Sequence, residues 1–595
     1  MVRSTTNSSK TFCLVMIKPS HYDDDGYVIQ WLRSAIPSNT LAVLNGLAID
    51  CAERKVLGDD VDLVLSTFDE TNTRIKPQNI IRQIRQNGGR GLVALVGVQS
   101  NQFPRAVDIA VPLSEAGIPV CIGGFHVSGC LSMLPELPVD IRQAQDKGIS
   151  MFAGEAEEGR LDQILRDAYS GTLKPLYNFM DNLPGLAGVP TPILPRIRIK
   201  RTAGAPTTFD AGRGCPFQCS FCTIINVQGR KSRYRSTDDI ERIVRDNMAQ
   251  GIRDFFITDD NFARNKDWES VFDRLIKLRE QDGLRVHCTI QVDTMCHKIP
   301  NFIKKAGRAG VTKVFIGLES INTESLIGAK KRQNRISEYR RMLLDWKSIG
   351  AITYAGYILG FPTDTPESII RDIRIIQREL PLDLLEFFYL TPLPGSEDHQ
   401  KLWQKGVWMD GDLNKYDLNH VTAEHPLMSR QDWERVYQLA WETYYTPEHM
   451  ETVMRRAEAC SISAGKMMFL MVWFYGCITV EKLHPLEGGF FRLKFRKDRR
   501  STLPIESPFL FYPRYAWESL TKVLRLLWLV WTTSRMRARV KNDPKRREYT
   551  DLALSPVTDD DYDKLELFTV SSVARAEVEK KRQLDAKRAA LTAAD

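Results

Sequence analysis

Two hydrophobic periods alternate along the first 170 residues. Short apolar runs at 11–18, 61–66, 91–98 and 118–122 have the length and β-branched content of buried strands. Between them, 76–87 and 104–116 place apolar residues at helical spacing. Strand and helix in alternation predict a parallel sheet wrapped by helices. Ligands of such sheets bind beyond the carboxyl ends of the strands. Two such ends are Gln99-Ser100-Asn101 and Gly123-Gly124-Phe125-His126.

Residues 171–205 contain Pro175, Pro184, Pro190, Pro192 and Pro195 and read as a linker, ending in a basic run at 196–201. From 206 to about 420 the alternation returns. Strands are predicted at 209–211, 254–258, 285–291, 313–318, 353–359 and 385–390. Helices are predicted at 237–250, 267–281, 299–309, 336–349 and 366–379, which makes about six β/α units. Beyond 420 the strand signals fade, and 421–595 reads as mainly helical, with a charged, Ala-rich helix or tail at 565–595.

A chain of 595 residues exceeds one ordinary core. Its eleven cysteines follow no secreted disulfide spacing, and the first ten residues lack the apolar core of a signal peptide, so a reducing cytoplasm is expected. The net charge of +8 is localised: 461–550 holds 18 Lys and Arg against 7 Asp and Glu, a net of +11, leaving about −3 elsewhere. A whole-protein nucleic-acid role loses force, and no nucleic-acid partner is expected.

The densest chemistry is Arg213-Gly-Cys215-Pro-Phe-Gln-Cys219-Ser-Phe-Cys222. Three thiolates in this C-x3-C-x2-C spacing can take three corners of a [4Fe-4S] cube and leave one iron open. A zinc site wants four ligands, and the next candidates, Cys288, Cys296 and His297, lie some 70 residues on. A ferredoxin site wants a fourth nearby cysteine. Buried structural thiols do not account for three cysteines within eight residues. The spacing resembles the radical S-adenosylmethionine (SAM) superfamily, and the resemblance extends over roughly 206–400. It implies a partial β/α barrel, SAM chelated at the open iron, and one-electron cleavage of SAM to a 5'-deoxyadenosyl radical.

In such barrels chemistry gathers at the carboxyl ends of the strands. Asp259 and Asp260 end the second strand, where the family holds the SAM amine, and the Asp-Asp-x-Phe form resembles its cobalamin-dependent members. Glu319 ends the fourth strand, and Gly360-Phe361-Pro362 stands where the family's glycine turn meets adenine. The resemblance implies SAM contacts for Asp259, Asp260, Glu319, Gly360 and Pro362, although a strand-end carboxylate is as often a helix cap. Tyr234 and Arg235 can attract the SAM carboxylate or belong to a solvated basic loop.

The order of the first domain resembles the cobalamin-binding domain that precedes many radical SAM domains. That resemblance implies corrinoid contacts from Gln99, Ser100, Asn101, Gly123, Gly124, His126, Gly154 and Glu155. The family's Asp-x-His-x-x-Gly ligand motif is absent: Gly124 stands where aspartate belongs before His126. His126 is expected to be a loop residue near the cofactor, and the lower face of cobalt stays unassigned. His21, followed by the acidic run Asp23–Asp25, can line that face or belong to a solvated turn.

The fold class expected is α/β: an N-terminal doubly wound (Rossmann-like) cobalamin-type domain over 1–170, a partial (β/α)6 radical SAM barrel over 206–420, and a mainly helical C-terminal domain. The implied activity is methyl transfer to an unactivated carbon or to phosphorus, with methylcobalamin as methyl donor and a flavodoxin- or ferredoxin-like electron donor. Radical cyclisation or rearrangement of a lipid or secondary metabolite is the alternative. A tRNA methylthiotransferase would want three more cluster cysteines, but Cys13, Cys51, Cys121 and Cys130 are scattered. A non-enzymatic iron–sulfur protein would not bind SAM. The apolar run at 467–480 is short for a membrane span. The aromatic and cationic mix at 490–497 and 515–540 suits a helix lying on the cytoplasmic face of a membrane, or one packed on the barrel, and hints at a lipid-like substrate.

Overall fold

The computed structural model describes residues 10–592; the extreme N-terminus read above for a signal peptide lies outside the described residues. The first sheet contains β1 (Lys10–Lys18), with β2 (Gln30–Ser34) set apart from it, then β3 (Val61–Asp69), β4 (Gly91–Leu95), β5 (Val120–Gly123), β6 (Ser150–Ala153) and β7 (Leu176–Asn178). Its order is β3-β1-β4-β5-β6-β7, all parallel. Every residue from Phe12 to Ile17 is buried. Cys13, Val15 and Ile17 face one core, and Phe12, Leu14 and Met16 the other. That two-sided burial explains why β1 reads as an unbroken apolar run, with each large side chain contributing about 1.5–3 kcal/mol. The stretch expected to be a linker supplies β7, whose buried Tyr177 extends the sheet by one strand; three residues are too few for a periodic signal.

The catalytic-type sheet follows. Next in the chain come β8 (Thr207–Phe209), the two-residue strands β9 (Gly212–Arg213) and β10 (Arg233–Tyr234), then β11 (Asp254–Ile257), β12 (His287–Val292), β13 (Val311–Glu319), β14 (Ile352–Leu359) and β15 (Leu384–Tyr389). Strands β8 and β11–β15 form a six-stranded parallel sheet in chain order, the order of a partial β/α barrel. Cys288, Ile290 and Val292 of β12 enter the core under the helices, while Thr289 and Gln291 on the opposite face are only half-buried. Capping boxes start two of the helices: Ser236 with Asp239 before Thr237–Ala249, and Thr365 with Ser368 before Pro366–Glu379.

The described part of the C-terminal region is mainly helical but contains one strand. β16 (Gly489–Leu493) pairs antiparallel with β2, so the last region is laced into the first. Trp31 of β2 is fully buried and donates its indole N–H to the Glu487 carbonyl at 2.9 Å. A Cβ on Gly489 would stand 2.1 Å from the Trp31 ring. The acidic run at Asp23–Asp25 is a turn with Asp24 and Asp25 exposed and Asp23 half-buried, and it is tied to the C-terminal region. Asp23 pairs with Arg492 at 2.9 Å and Asp25 with Lys494 at 3.3 Å, while Arg74 grips Asp498. Two cations of the basic segment, Arg492 and Lys494, are thus paired with acids more than 400 residues away. The tail is packed over its described part: Leu567 and Phe568 are buried, and Glu577 accepts from Ser337.

Candidate active site

β8 ends at Phe209, Asp210 follows it, and the cysteine loop begins at once. β9 and β10 close the loop at its base, pairing Arg213 with Arg233 and Gly212 with Tyr234. Gly214 (φ +90°) has no room for a side chain, since a Cβ would meet the Lys231 carbonyl at 2.5 Å. Arg213 is buried among three acids: Glu155 at 2.6 Å, Glu157 at 2.7 Å and Asp210 at 3.0 Å. Arg235 is fully buried and donates to the Asp210 carbonyl at 2.8 Å, so it belongs to no solvated loop; Tyr234 is exposed.

Cys219 is buried, and Cys215 and Cys222 are half-buried. Burial pushes the Cys215 thiol up to about 11 and the Cys222 thiol up to about 12, and the neighbouring Cys219 sulfur raises both. The three sulfurs therefore share one environment. Gln333 donates to the Cys219 sulfur at 3.4 Å. Buried Lys331 pairs with Glu319 at 2.5 Å; burial opposes its charge, but Glu319, Cys219 and Cys222 hold its pKa above the usual lysine value. A buried cation facing two thiols suits an anionic cluster. Among the described residues, no three Cys, His, Asp or Glu side chains converge like ligands of a single ion; thiolates on three corners of a cube stand farther apart. Cys288 and Cys296 are core residues, and His297 is tied to Glu338 at 3.0 Å. Cys13 and Cys130 share one core of the first domain, Cys51 and Cys121 the other.

The two strand-end aspartates differ. Asp259 accepts the backbone N–H groups of Ala211 at 2.7 Å and Gly212 at 2.9 Å, and the Asn265 amide at 2.9 Å. Its carboxylate is spent on holding the entry to the cysteine loop. Asp260 has no such side-chain partners among the described residues, and its charge raises Cys215 and Cys222. Burial pushes both acids up to about 7. Glu319 sits at a register shift of β13 with φ +62°, a conformation costly for a non-glycine residue. The Gly360-Phe361-Pro362 turn is clamped from three sides. Asp364 accepts the N–H groups of Gly360 and Phe361, both at 2.9 Å, and His425 binds the Phe361 carbonyl at 2.8 Å. Trp433 occupies the space a Gly360 side chain would need.

Between the two sheets lies a cavity of about 410 Å³. It meets the first sheet beside β1 and β4, where the strand order reverses. His21, Gln99, Ser100 and Asn101 line it from the first domain, Thr223 and Ile224 from the cysteine loop, Leu393 and Pro394 from the turn after β15, and His484 and Glu487 from the C-terminal region. Atoms of His21, Asn101, His484 and Glu487 are buried without hydrogen-bond partners. His21 Nε2 lies 2.9 Å from Glu487, within ion-pair distance but poorly angled for a hydrogen bond. A group with a polar rim would satisfy these atoms, so the wall fits a corrinoid-like ligand.

The other first-domain candidates lie off this wall. His126 spends one nitrogen on Ser100 at 3.1 Å and the other on Asp140 at 2.7 Å. Gly124 (φ +152°) lets its turn lie against Val98, and Gly123 packs on Phe152. Gly154 lies against Phe179, and Glu155 binds Arg213 and Arg233. His484 and Glu487 carried no sequence signal, because nothing local ties them to a strand end. A second chamber of about 240 Å³ lies at the amino ends of the barrel strands, lined by Asp254, His287, Thr312, Ile352 and Leu384 and covered by Trp473, so it is at the end of the barrel away from Asp260 and Gly360; Ala35, Ile36 and Leu486 border both spaces.

Residues 211–376 match the model of the radical SAM superfamily. The chain carries a radical SAM domain. It is therefore an enzyme of the class that uses a [4Fe-4S] cluster and SAM. The radical SAM chain is 26% identical over 350 residues to the bacteriochlorophyllide d C-8(2)-methyltransferase of Chlorobaculum tepidum, spanning 56% of this chain and 73% of that one. It is 22% identical over 436 residues to the hopanoid C-2 methylase of Rhodopseudomonas palustris, spanning 70% and 79%. Its fold is similar to the radical SAM methyltransferase TsrM from Kitasatospora setae, solved with cobalamin and a [4Fe-4S] cluster (TM-score 0.53, 14% identity, 74% of this chain and 90% of that one). It is also similar to the cobalamin-dependent radical SAM enzyme OxsB, solved with aqua-cobalamin (TM-score 0.52, 13% identity, 92% and 83%).

Proposed function

We propose that this radical SAM enzyme is a cobalamin-dependent methyltransferase that places a methyl group on a carbon of a large, mainly apolar substrate. One observation carries the reading: a single cavity is bordered by the reversal point of the first sheet, the cysteine loop and the last turn of the barrel. The methyltransferase relatives from Chlorobaculum and Rhodopseudomonas support it.

Cys215, Cys219 and Cys222 would hold the cluster, with Lys331 offsetting its negative charge. When bound, the cluster and SAM supply one-electron radical chemistry and the corrinoid supplies a transferable methyl group. Asp260, whose carboxylate is free of side-chain partners among the described residues, would accept from the ammonium of SAM, while Asp259 keeps the loop in place. The clamped turn at Gly360–Pro362 would present backbone to the adenine. Gln99, Ser100 and Asn101 would bind the polar rim of the corrinoid, with His21 and Glu487 beside them. A flavodoxin- or ferredoxin-like protein would deliver the electron.

The test is spectroscopic. The reduced, reconstituted enzyme should change its EPR spectrum when SAM is added, and it should retain hydroxocobalamin through gel filtration. An EPR spectrum indifferent to SAM overturns the SAM-binding reading. Loss of all corrinoid absorbance overturns the methyl-transfer reading.

A further inference from the structure

The helix Pro508–Asn542 is apolar on two opposite faces. Leu529, Thr533, Met536 and Val540 are buried, against the helices Pro447–Ala459 and Ala464–Gly476. At 100° per residue, Trp517, Leu520, Leu524, Leu527, Trp528 and Trp531 fall on the other side. These six are 51–68% exposed. Large contiguous apolar surfaces on a folded chain mark a partner.

The helix is fastened along its length, so this face is a rigid feature. Tyr515 donates to the Arg492 carbonyl at 3.0 Å, Lys522 pairs with Glu481 at 2.8 Å, and Arg539 pairs with Glu451. The helix holds seven Lys and Arg against one acid, Glu518, which is already bound by Lys494 and Lys522. Arg525, Arg535 and Lys541 are exposed with no acidic partner among the described residues; Arg535 lies on the outer face, where it stacks on Trp531 at 4.9 Å, and Arg525 and Lys541 flank that face on either side.

We propose that the outer face of Pro508–Asn542 docks the enzyme on an anionic lipid bilayer, with Trp517, Trp528 and Trp531 at headgroup depth and the unpaired cations on lipid phosphates. A surface with both wide aromatic side chains and uncompensated cations matches a lipid interface. A second copy would bring the same positive face against itself, so charge opposes self-association here. No described helix is long and apolar enough to cross a membrane, and the contact proposed is parallel to the surface. The chamber at the amino ends of the barrel strands shares this side of the molecule: its lining includes exposed Phe469, from the helix Ala464–Gly476 that packs directly on Pro508–Asn542. The docking proposal stands independently of the methyl-transfer reading.

The test is flotation of the full chain with vesicles of phosphatidylcholine, alone or mixed with phosphatidylglycerol. Flotation is expected with the mixed vesicles and should weaken as salt rises from about 0.1 M to about 0.5 M. Leu524→Glu with Leu527→Glu should lower partitioning by about a hundredfold. Both residues are exposed, so the melting temperature should hold; as a second readout, brominated lipid should quench the wild type, and Trp528→Phe with Trp531→Phe should lessen that quenching. Failure of the wild type to float on mixed vesicles overturns the proposal, as does binding undiminished in the Glu variant or absence of quenching. A dimer that the Glu variant dissociates, without vesicle binding, assigns the face to a second copy instead.

Discussion

Glu155, beyond β6 of the first sheet, holds Arg213 at 2.6 Å, two residues before the first cluster cysteine. The same carboxylate reaches Arg233 on the far side of the loop at 2.5 Å. One buried acid of the first domain thus grips both ends of the cysteine loop. Glu155→Gln would leave one buried and one half-buried guanidinium group, Arg213 and Arg233, short of charge. Glu157 and Asp210 still hold Arg213, so the expected cost is about 2–4 kcal/mol rather than unfolding. Thermal unfolding and iron content, measured together, check this: both should fall in Glu155→Gln and recover toward wild type in Glu155→Asp.

Ala at Cys215, Cys219 or Cys222 should each abolish the cluster, since none has a substitute nearby. Cys288→Ala should keep about four irons per chain and lose only about 1 kcal/mol of stability, because that thiol is a core residue away from the loop. Iron and sulfide assays decide, and a Cys288→Ala protein without iron would contradict the assignment.

Gly360→Ala should be severe. Its φ is +103°, and a Cβ would stand 1.9 Å from the Trp433 ring. A loss of about 3 kcal/mol or more is expected, along with weaker SAM binding. Gly406→Ala, also at positive φ but in open space, should cost about 1 kcal/mol. Denaturant unfolding and calorimetric SAM titration compare the pair.

Glu338 links the packed tail to pH. Burial pushes its carboxyl up, but hydrogen bonds from His297 and Lys298 and the charge of Lys581 outweigh that and bring it to about 2. A carboxyl held below its unfolded value stabilises the fold above about pH 4.5, and the contribution, about 3 kcal/mol, is lost as pH falls toward 2. Glu338→Gln should be less stable at neutral pH and should lose less on acidification over that window. Melting temperature against pH measures both slopes.

Cysteine spacing, strand periods and strand-end turns are local properties, and they were legible without coordinates. The runs that became β1, β4 and β12–β15 needed only their own composition to declare themselves. The three cysteines lie in one loop because Gly214 and the short β9–β10 ribbon fold it back within twenty residues. Partnership was not legible. Asp259 and Asp260 look alike as letters, yet only contacts with Ala211, Gly212 and Asn265 make the first a brace and leave the second without a side-chain partner. His126 sits behind the cavity residue Ser100, and Ser100 and Asp140 take both its nitrogens, which leaves neither for a metal. The cavity joins residues from 18 to 488, and no periodicity encodes which distant surfaces meet. By itself the sequence determined the longer strands and helices and the identity of the cluster loop, because backbone preference and ligand spacing act over a few residues; the short β2, β7 and β16 form only through pairing with other strands. Tertiary structure alone decided which charges are spent and which side chains line a common space, because desolvation and ion pairing depend on neighbours hundreds of positions away.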